Sequence, residues 1–258
     1  MIDFPDSSTF AAAFADRRFL AAAAIAALSG LVRGFAGFGS ALVYMPLIAA
    51  VYEPRIAAVT LLLVDYAGSV PFAAPEFRRC TWREVLPLSI AATIAVPFGT
   101  MALLVLDPII LRWGMAILVF GLVAVLASGW RYHGAPRLPI TIGVGLFSGF
   151  GGGAVQIAGP PVIVYWLSSS SNAVTVRANM IIFFALLGTA LIISYFTQGL
   201  FTPDAIVLSL LLGIPFLLAM AIGAFLFRGT SDQLYRRIAY LIIAAAALIS
   251  MPLFDRFY

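Results

Sequence analysis

The chain has 258 residues, of which 63% are hydrophobic and only 10% charged, and its mean hydropathy is +1.07. A soluble domain is about half apolar and a quarter charged, so this composition excludes an ordinary soluble protein and predicts one embedded in lipid. The formal net charge of +4 comes from arginines scattered between apolar runs. That spacing is typical of membrane-orientation signals, and it argues against nucleic-acid binding, which needs a continuous basic face.

Hydrophobic stretches bounded by charges and by Pro, Gly and Ser clusters predict ten segments. Their ranges are 19–33, 38–52, 56–74, 84–106, 109–129, 138–150, 155–168, 174–197, 203–227 and 235–253. The first, second, sixth and seventh are too short to cross a hydrocarbon core of roughly 30 Å, so they are predicted to be half-helices. We expect an all-α polytopic membrane protein with about eight to ten crossings in a single transmembrane domain.

A glycine-rich motif occurs twice in the chain. Residues 35–43 (FAGFGSALV) align with residues 147–155 (FSGFGGGAV) at a constant offset of 112 (149 − 37). Further along, Pro97-Phe98 matches Pro215-Phe216 at an offset of 118 (215 − 97). These matches predict two repeats of five segments, about 10–133 and 134–258, a plan that recurs in secondary transporters.

The loop arginines predict how the repeats are oriented. If each repeat crosses the membrane an odd number of times, the two repeats are inverted relative to each other. In that arrangement ten arginines fall on one side of the membrane and five on the other. The richer side is then cytoplasmic and both termini are outside. Merging the first two segments of each repeat into one crossing gives a weaker bias of eight to five. The inverted arrangement is therefore favoured, and whether the short segments cross or re-enter stays open.

Both glycine-rich stretches are predicted to break their helices. Tight helix packing is the alternative interpretation, because GxxxG spacing also occurs there. In a broken helix, the freed N–H groups and the helix N-terminus would face an anion near the midplane. The predicted helix-breaking residues are Gly34, Pro46, Gly149, Gly153, Gly159, Pro160 and Pro161.

The residues around the breaks and two downstream positions are predicted to bind that anion. They are Arg33, Gly37, Gly39, Ser40, Tyr44, Gly151, Gly152, Gln156, Tyr165, Arg177 and Asn179. Guanidinium groups match oxyanions with two hydrogen bonds. For both arginines, topology signalling or snorkelling at a segment end is the alternative.

Asp65 is predicted to lie near the centre of the third segment. A carboxylate at that depth is costly unless it is paired, protonated or facing water. We predict that it couples transport to H⁺ or Na⁺, with a structural role as the partner of an arginine as the alternative. No other cofactor is expected.

Several enzymatic and metal-binding functions are not expected. Cys80 and His133 are each the only residue of their kind, which rules out a metal site built from Cys and His clusters. The chain contains no lysine, which a Walker phosphate-binding loop requires. His133 is predicted to lie in a loop, away from any membrane-buried nucleophile, so the chain is not expected to be an enzyme.

The paired signature resembles the TauE/SafE family of sulfite and organosulfonate exporters over essentially the whole chain. It consists of residues 34–40 (GFAGFGS) with Pro46, residues 148–153 (SGFGGG) with Gly159-Pro160-Pro161, and residues 176–179 (VRAN). The resemblance implies a carrier of the bacterial cytoplasmic membrane. It would export small anions such as sulfite, sulfonates or related organic acids, without ATP hydrolysis. Our own hypothesis for the mechanism is alternating access coupled to an ion gradient.

The partners that follow are a small anion and the lipid bilayer, without nucleic acid. A homo-oligomer stays open. An importer of the same anions and a non-transporting membrane scaffold or subunit are the alternative functions.

Overall fold

The computed structural model describes residues 7–36, 39–128, 137–167, 173–226, 232–249 and 251. These residues form α-helices and one short 3₁₀ helix, and they include no strand. The helices are α1 (Ser7–Ala15), α2 (Phe19–Ala36), α3 (Ser40–Val51), α4 (Pro54–Ser69), α5 (Ala73–Glu76), α6 (Trp82–Val105), α7 (Pro108–Ala127), α8 (Leu138–Val155), α9 (Gly159–Leu167), α10 (Ala173–Thr197), α11 (Pro203–Leu226) and α12 (Asp232–Ile249).

Five of these helices, α6, α7, α8, α10 and α11, are long and apolar enough to cross a membrane. Their outer faces carry large apolar side chains. On α6, for example, Ile90, Ile94 and Phe98 are 57%, 57% and 68% exposed. Because they recur every four residues, they form one apolar stripe along the helix. Such a stripe is costly in water and is covered by lipid tails in a bilayer, so the protein is an integral membrane protein.

Three helix boundaries differ from the sequence predictions. Helix α8 runs for 18 residues to Val155 and is long enough to cross a membrane, so the predicted half-helix at 138–150 is wrong. Helix α2 extends three residues beyond the predicted 19–33, and its apolar part, 19–34, stays too short for a full crossing. Helices α3 and α9 are short as predicted, with 12 and 9 residues. The predicted segment 56–74 is not one helix, because α4 ends at Ser69 and a 3₁₀ helix follows at Val70–Phe72.

Four of the residues predicted to break helices lie inside helices instead. Gly34 is within α2, Pro46 within α3, and Gly149 and Gly153 within α8. The glycines are helical because they sit at close helix contacts, which was the alternative interpretation of their spacing. In the second half of the chain, the helix is interrupted a few residues after Gly153, between the end of α8 and the start of α9.

The chain forms two compact units. The first contains residues 1–64, 106–127 and 199–258, and the second contains residues 65–105 and 128–198. Each unit therefore takes helices from both halves of the sequence, and the units do not coincide with the two predicted repeats. In the first unit α2 packs against α11, and in the second α8 packs against α6.

Glycines allow α6 and α8 to approach each other backbone to backbone. A Cβ atom added at Gly145 would collide with the carbonyl of Leu88, and one added at Gly153 would collide with the carbonyl of Val96. Because the contacting residues advance in the same direction on both helices, α6 and α8 run parallel. In the first unit, Gly30 meets Phe216 in the same way and α2 runs parallel to α11 as well.

Helix α10 also runs parallel to α6. Near the start of both helices, the backbone N–H of Thr81 donates to the Asn179 side chain (2.7 Å). Near their ends, the hydroxyls of Thr100 and Ser194 hydrogen-bond at 2.8 Å. The second unit thus contains three parallel long helices, and the chain must reverse between α8 and α10.

The glycine contact predicts a large effect of one methyl group. In Gly149→Ala, the new Cβ would overlap the backbone of Ala92, and overpacking of this kind costs roughly 1–3 kcal/mol. Gly143→Ala on the same helix is the matched control, because a Cβ there meets nothing within 4 Å. We expect the thermal unfolding midpoint in detergent to fall for Gly149→Ala and to hold or rise for Gly143→Ala. Equal midpoints for the two variants would contradict the close packing.

Candidate functional site

The interruption between α8 and α9 is centred on Gln156. Its backbone is left-handed, with φ 56° and ψ 15°, and it is the only non-glycine residue with positive φ among the described residues. Such a conformation costs about 1–3 kcal/mol and persists only where the surroundings hold it. The N–H of Gln156 donates to the carbonyl of Gly152 (3.0 Å) and that of Ile157 to the carbonyl of Gly151 (3.1 Å). These bonds close the end of α8 by pairing the carbonyls of Gly151 and Gly152.

A buried tyrosine on α10 fixes the Gln156 side chain. Gln156 Nε2 donates to the Tyr195 hydroxyl (3.1 Å), and that hydroxyl donates to the carbonyl of Gly153 (2.9 Å). Tyr195 is fully buried, whereas Gln156 is half-buried. The interruption is therefore a defined structure, in which one side chain holds both the glutamine and the end of α8.

Beyond Gln156 the chain turns back along α8. The hydroxyls of Tyr165 and Thr141 hydrogen-bond at 2.6 Å. Thr141 lies in the first turns of α8 and Tyr165 near the end of α9, so a straight continuation would place them about 36 Å apart. Helix α9 therefore runs antiparallel to α8, which is the reversal that the parallel direction of α10 requires.

The start of α9 offers few donors to an anion. Gly159, Pro160 and Pro161 form its first turn, and proline has no N–H group. Of these three residues, only Gly159 carries a backbone N–H. The two prolines are compatible with a helix start, but they leave this end with fewer N–H donors than a helix N-terminus normally offers to an anion.

A second polar cluster lies at the other end of the unit, around Glu84 at the start of α6. Glu84 Oε2 accepts hydrogen bonds from Trp166 Nε1 and Asn179 Nδ2, both at 3.2 Å. Asn179 also accepts the N–H of Thr81. Trp166 and Asn179 are fully buried, and Glu84 is half-buried. This cluster joins α6, α9 and α10.

The predicted residues of the second repeat do not form one site. Gln156 bonds to Tyr195, whereas Asn179 is 16 residues earlier on the same helix, a distance of about 24 Å. One small anion therefore cannot contact both, and that part of the prediction is wrong. Arg177 is exposed near the start of α10, at the same end of the second unit as Glu84. Gly151 and Gly152 are buried in the last turns of α8.

The first glycine break lies in the other unit. Gly39 has φ 93°, a conformation that favours glycine, and α3 begins at the next residue. Ser40 is 4% exposed, and the fully buried Tyr44 donates its hydroxyl to Thr60 (3.0 Å). Arg33 is half-buried in the last turn of α2. Gly37, also predicted to bind the anion, lies outside the described residues.

Asp65 is not central in a continuous segment as predicted. It is half-buried and lies four residues before α4 ends at Ser69. The single cysteine, Cys80, precedes α6, and partial burial raises the pKa of its thiol, which therefore stays protonated at neutral pH. Within the part of the chain that the structure describes, no three Asp, Glu, His or Cys side chains gather to hold a metal.

Sequence reasoning missed Glu84 and Tyr195. Glu84 follows Arg83 at the start of an apolar segment, where a charge normally marks a helix end in the headgroup region. Tyr195 lies near the end of the mostly apolar helix α10, and no sequence pattern around it marks it as part of a site. Both act through partners at least 39 positions away in the sequence, which periodicity cannot pair.

These features define a polytopic helical membrane protein in which irregular backbone is held between two helices. Such backbone is tolerated at membrane depth only where it is buried in protein or lines a cavity. A scan against protein-family profiles matches residues 22–250 to sulfite exporter TauE/SafE. The chain therefore belongs to the TauE/SafE sulfite exporter family, a family of membrane transporters. No curated protein and no solved structure matches it.

Tyr195→Phe tests the structure of the interruption. It removes one hydroxyl and leaves Gln156 Nε2 and the Gly153 carbonyl without this partner, which costs about 1–3 kcal/mol when the groups are buried. Tyr66→Phe is the matched control, because the Tyr66 hydroxyl bonds Thr189 at an exposed position. We expect the thermal unfolding midpoint to fall clearly for Tyr195→Phe. For the control, the free energy of unfolding should change by less than about 0.5 kcal/mol, so its midpoint should move little. A reversed order would show that the interruption does not depend on Tyr195.

Proposed function

We propose that the protein is a secondary transporter of the bacterial inner membrane that exports small anions such as sulfite, sulfonates or related organic acids. The family membership supports the transport of such anions. The observation that carries the proposal for this chain is the interruption at Gln156, where a strained backbone is held by a buried hydrogen-bond network. A scaffold would gain little from backbone strain inside a membrane, whereas substrate sites often contain it.

We propose that α8 and α9 form a re-entrant hairpin. Helix α8 is long enough to cross most of the hydrocarbon core, but the nine residues of α9 span only about 14 Å. The tip at Gln156 would then lie towards the far side of the membrane, and α9 would end within it. Hairpins of this kind place irregular backbone beside a substrate path without exposing it to lipid.

The residues that contact the anion are proposed for each break separately. At the first break, the start of α3 would offer the positive end of its helix dipole to the anion. Arg33 would add charge there. At the second break, the half-buried amide of Gln156 is the proposed contact. Arg177, exposed at the opposite end of α10, would attract anions from solution.

The proposed mechanism is alternating access coupled to an ion gradient. Asp65 remains the proposed binding residue for the coupling H⁺ or Na⁺, because a half-buried carboxylate beside a helix end can exchange an ion with water.

Sulfite flux in proteoliposomes tests the proposal. We expect the wild-type protein to move sulfite or a sulfonate, and Gln156→Ala to lower the flux about tenfold, the effect of losing one buried polar contact to a substrate. Gln198→Ala is the matched control, since Gln198 is exposed at the end of α10. Thermal unfolding of each variant separates loss of transport from loss of folding.

Two results would contradict the proposal. Absence of flux in either direction for the folded wild-type protein would contradict the proposal that the protein is a transporter. Full flux through folded Gln156→Ala would show that the second break does not lie on the path of the substrate.

A further inference from the structure

Glu84 has an unusual set of partners for a carboxylate. Both of its hydrogen bonds come from neutral donors, Trp166 Nε1 and Asn179 Nδ2, and both end on the same oxygen, Oε2. The two donor residues are fully buried. Among the described residues Glu84 makes no ion pair, whereas Asp16 and Glu76 pair with neighbouring arginines.

Among the described residues, none of the charged or titratable groups near Glu84 forms an ion pair or a hydrogen bond with its carboxylate. On α6 the adjacent Arg83 is exposed, and Cys80 precedes the helix. On α9 the titratable group is Tyr165, whose hydroxyl bonds Thr141. On α10 it is Arg177, which is exposed. The further groups are Arg137, exposed before α8, and Glu76 on α5, which pairs with Arg79.

A change in the protonation state of Glu84 would therefore change how firmly its partners are held. A carboxylate accepts stronger hydrogen bonds than a neutral carboxyl group does, by a factor of about two in energy. Adding a proton weakens the bonds to Trp166 and Asn179 together, because both end on the same group. Asn179 keeps its bond from the N–H of Thr81, but the indole of Trp166 has no other hydrogen bond among the described residues.

Trp166 lies on α9, the short helix that follows the reversal at Gln156. Like the Tyr165–Thr141 bond, the Glu84–Trp166 bond fastens the end of α9 to a long helix. We propose that Glu84 is a proton-binding residue of the transport cycle, holding α9 against α6 when ionised and freeing it to move when protonated. This inference rests on the proposed transport function, and it is separate from the binding of the coupling ion at Asp65.

Glu84→Gln tests the inference without removing the hydrogen-bond acceptor. The amide oxygen of glutamine still accepts from Trp166 and Asn179, so the variant should fold and resemble permanently protonated Glu84. Glu53→Gln, at an exposed position between α3 and α4, is the matched control. Trp166→Phe identifies which of the four tryptophans reports the change.

The first readout is tryptophan emission of the purified protein, titrated between about pH 8 and pH 4, a range that covers carboxyl titration. We expect a transition in the wild type and in Glu53→Gln, and none in Glu84→Gln or Trp166→Phe. The same transition in Glu84→Gln as in the wild type would overturn the assignment of the proton to Glu84.

The second readout is sulfite exchange between equal pools on both sides of the liposome membrane. Wild-type exchange should rise about fivefold or more on acidification, the factor expected when a charged hydrogen bond becomes neutral. Exchange by Glu84→Gln should already be high at neutral pH and should rise much less on acidification than wild-type exchange does. A wild-type pH profile in folded Glu84→Gln would overturn the inference. Absence of exchange in the wild type would instead overturn the proposed function, while the emission titration still tests Glu84.

Discussion

The second unit depends on a change of chain direction at Gln156. The left-handed backbone there ends α8, and the following residues fold back against it, with the N–H of Ile157 bonded to the carbonyl of Gly151. Tyr195 stabilises this reversal from α10, and the Tyr165–Thr141 bond secures the returning helix. Without the reversal, α10 could not run parallel to α6 and α8.

The glycine face of α8 provides the rigid side of the same arrangement. Small residues let α6 and α8 meet through their backbones, so these helices pack with little room for adjustment. Helix α9, in contrast, has nine residues and is held by buried apolar side chains together with the hydrogen bonds of Tyr165 and Trp166. A rigid helix pair beside a short helix is a construction that suits the proposed transport function, in which one element moves while its neighbours hold their positions.

Much of the architecture could be predicted from the sequence because apolar length reports helices directly in a membrane protein. The limits of α6, α7, α10 and α11 agree with the predicted segments to within two residues. The glycine-rich stretch was ambiguous, because the same residues permit both a break and close packing, and only the neighbouring helix decides between them. Gly149 and Gly153 face α6 and stay helical, so the break falls at Gln156.

The site was predicted less well, because its contacts are not local. The sequence shows that Gln156 and Asn179 are polar residues in apolar surroundings, and their binding of an anion stays a prediction. The sequence could not show that their partners are Tyr195 and Glu84. The Gln156–Tyr195 and Asn179–Glu84 pairs depend on the direction of α10 relative to α6, and no pattern in the sequence predicts that direction. The repeats and their inverted orientation stay predictions.

The most direct test of the reversal is the distance between the start of α8 and the end of α9. In a Cys80→Ser background, Thr141→Cys and Tyr165→Cys can be joined by a short bifunctional maleimide or carry spin labels. We expect efficient cross-linking and a label separation under about 20 Å, since the native side chains touch. A separation near 36 Å, as in a continuous helix, would contradict it.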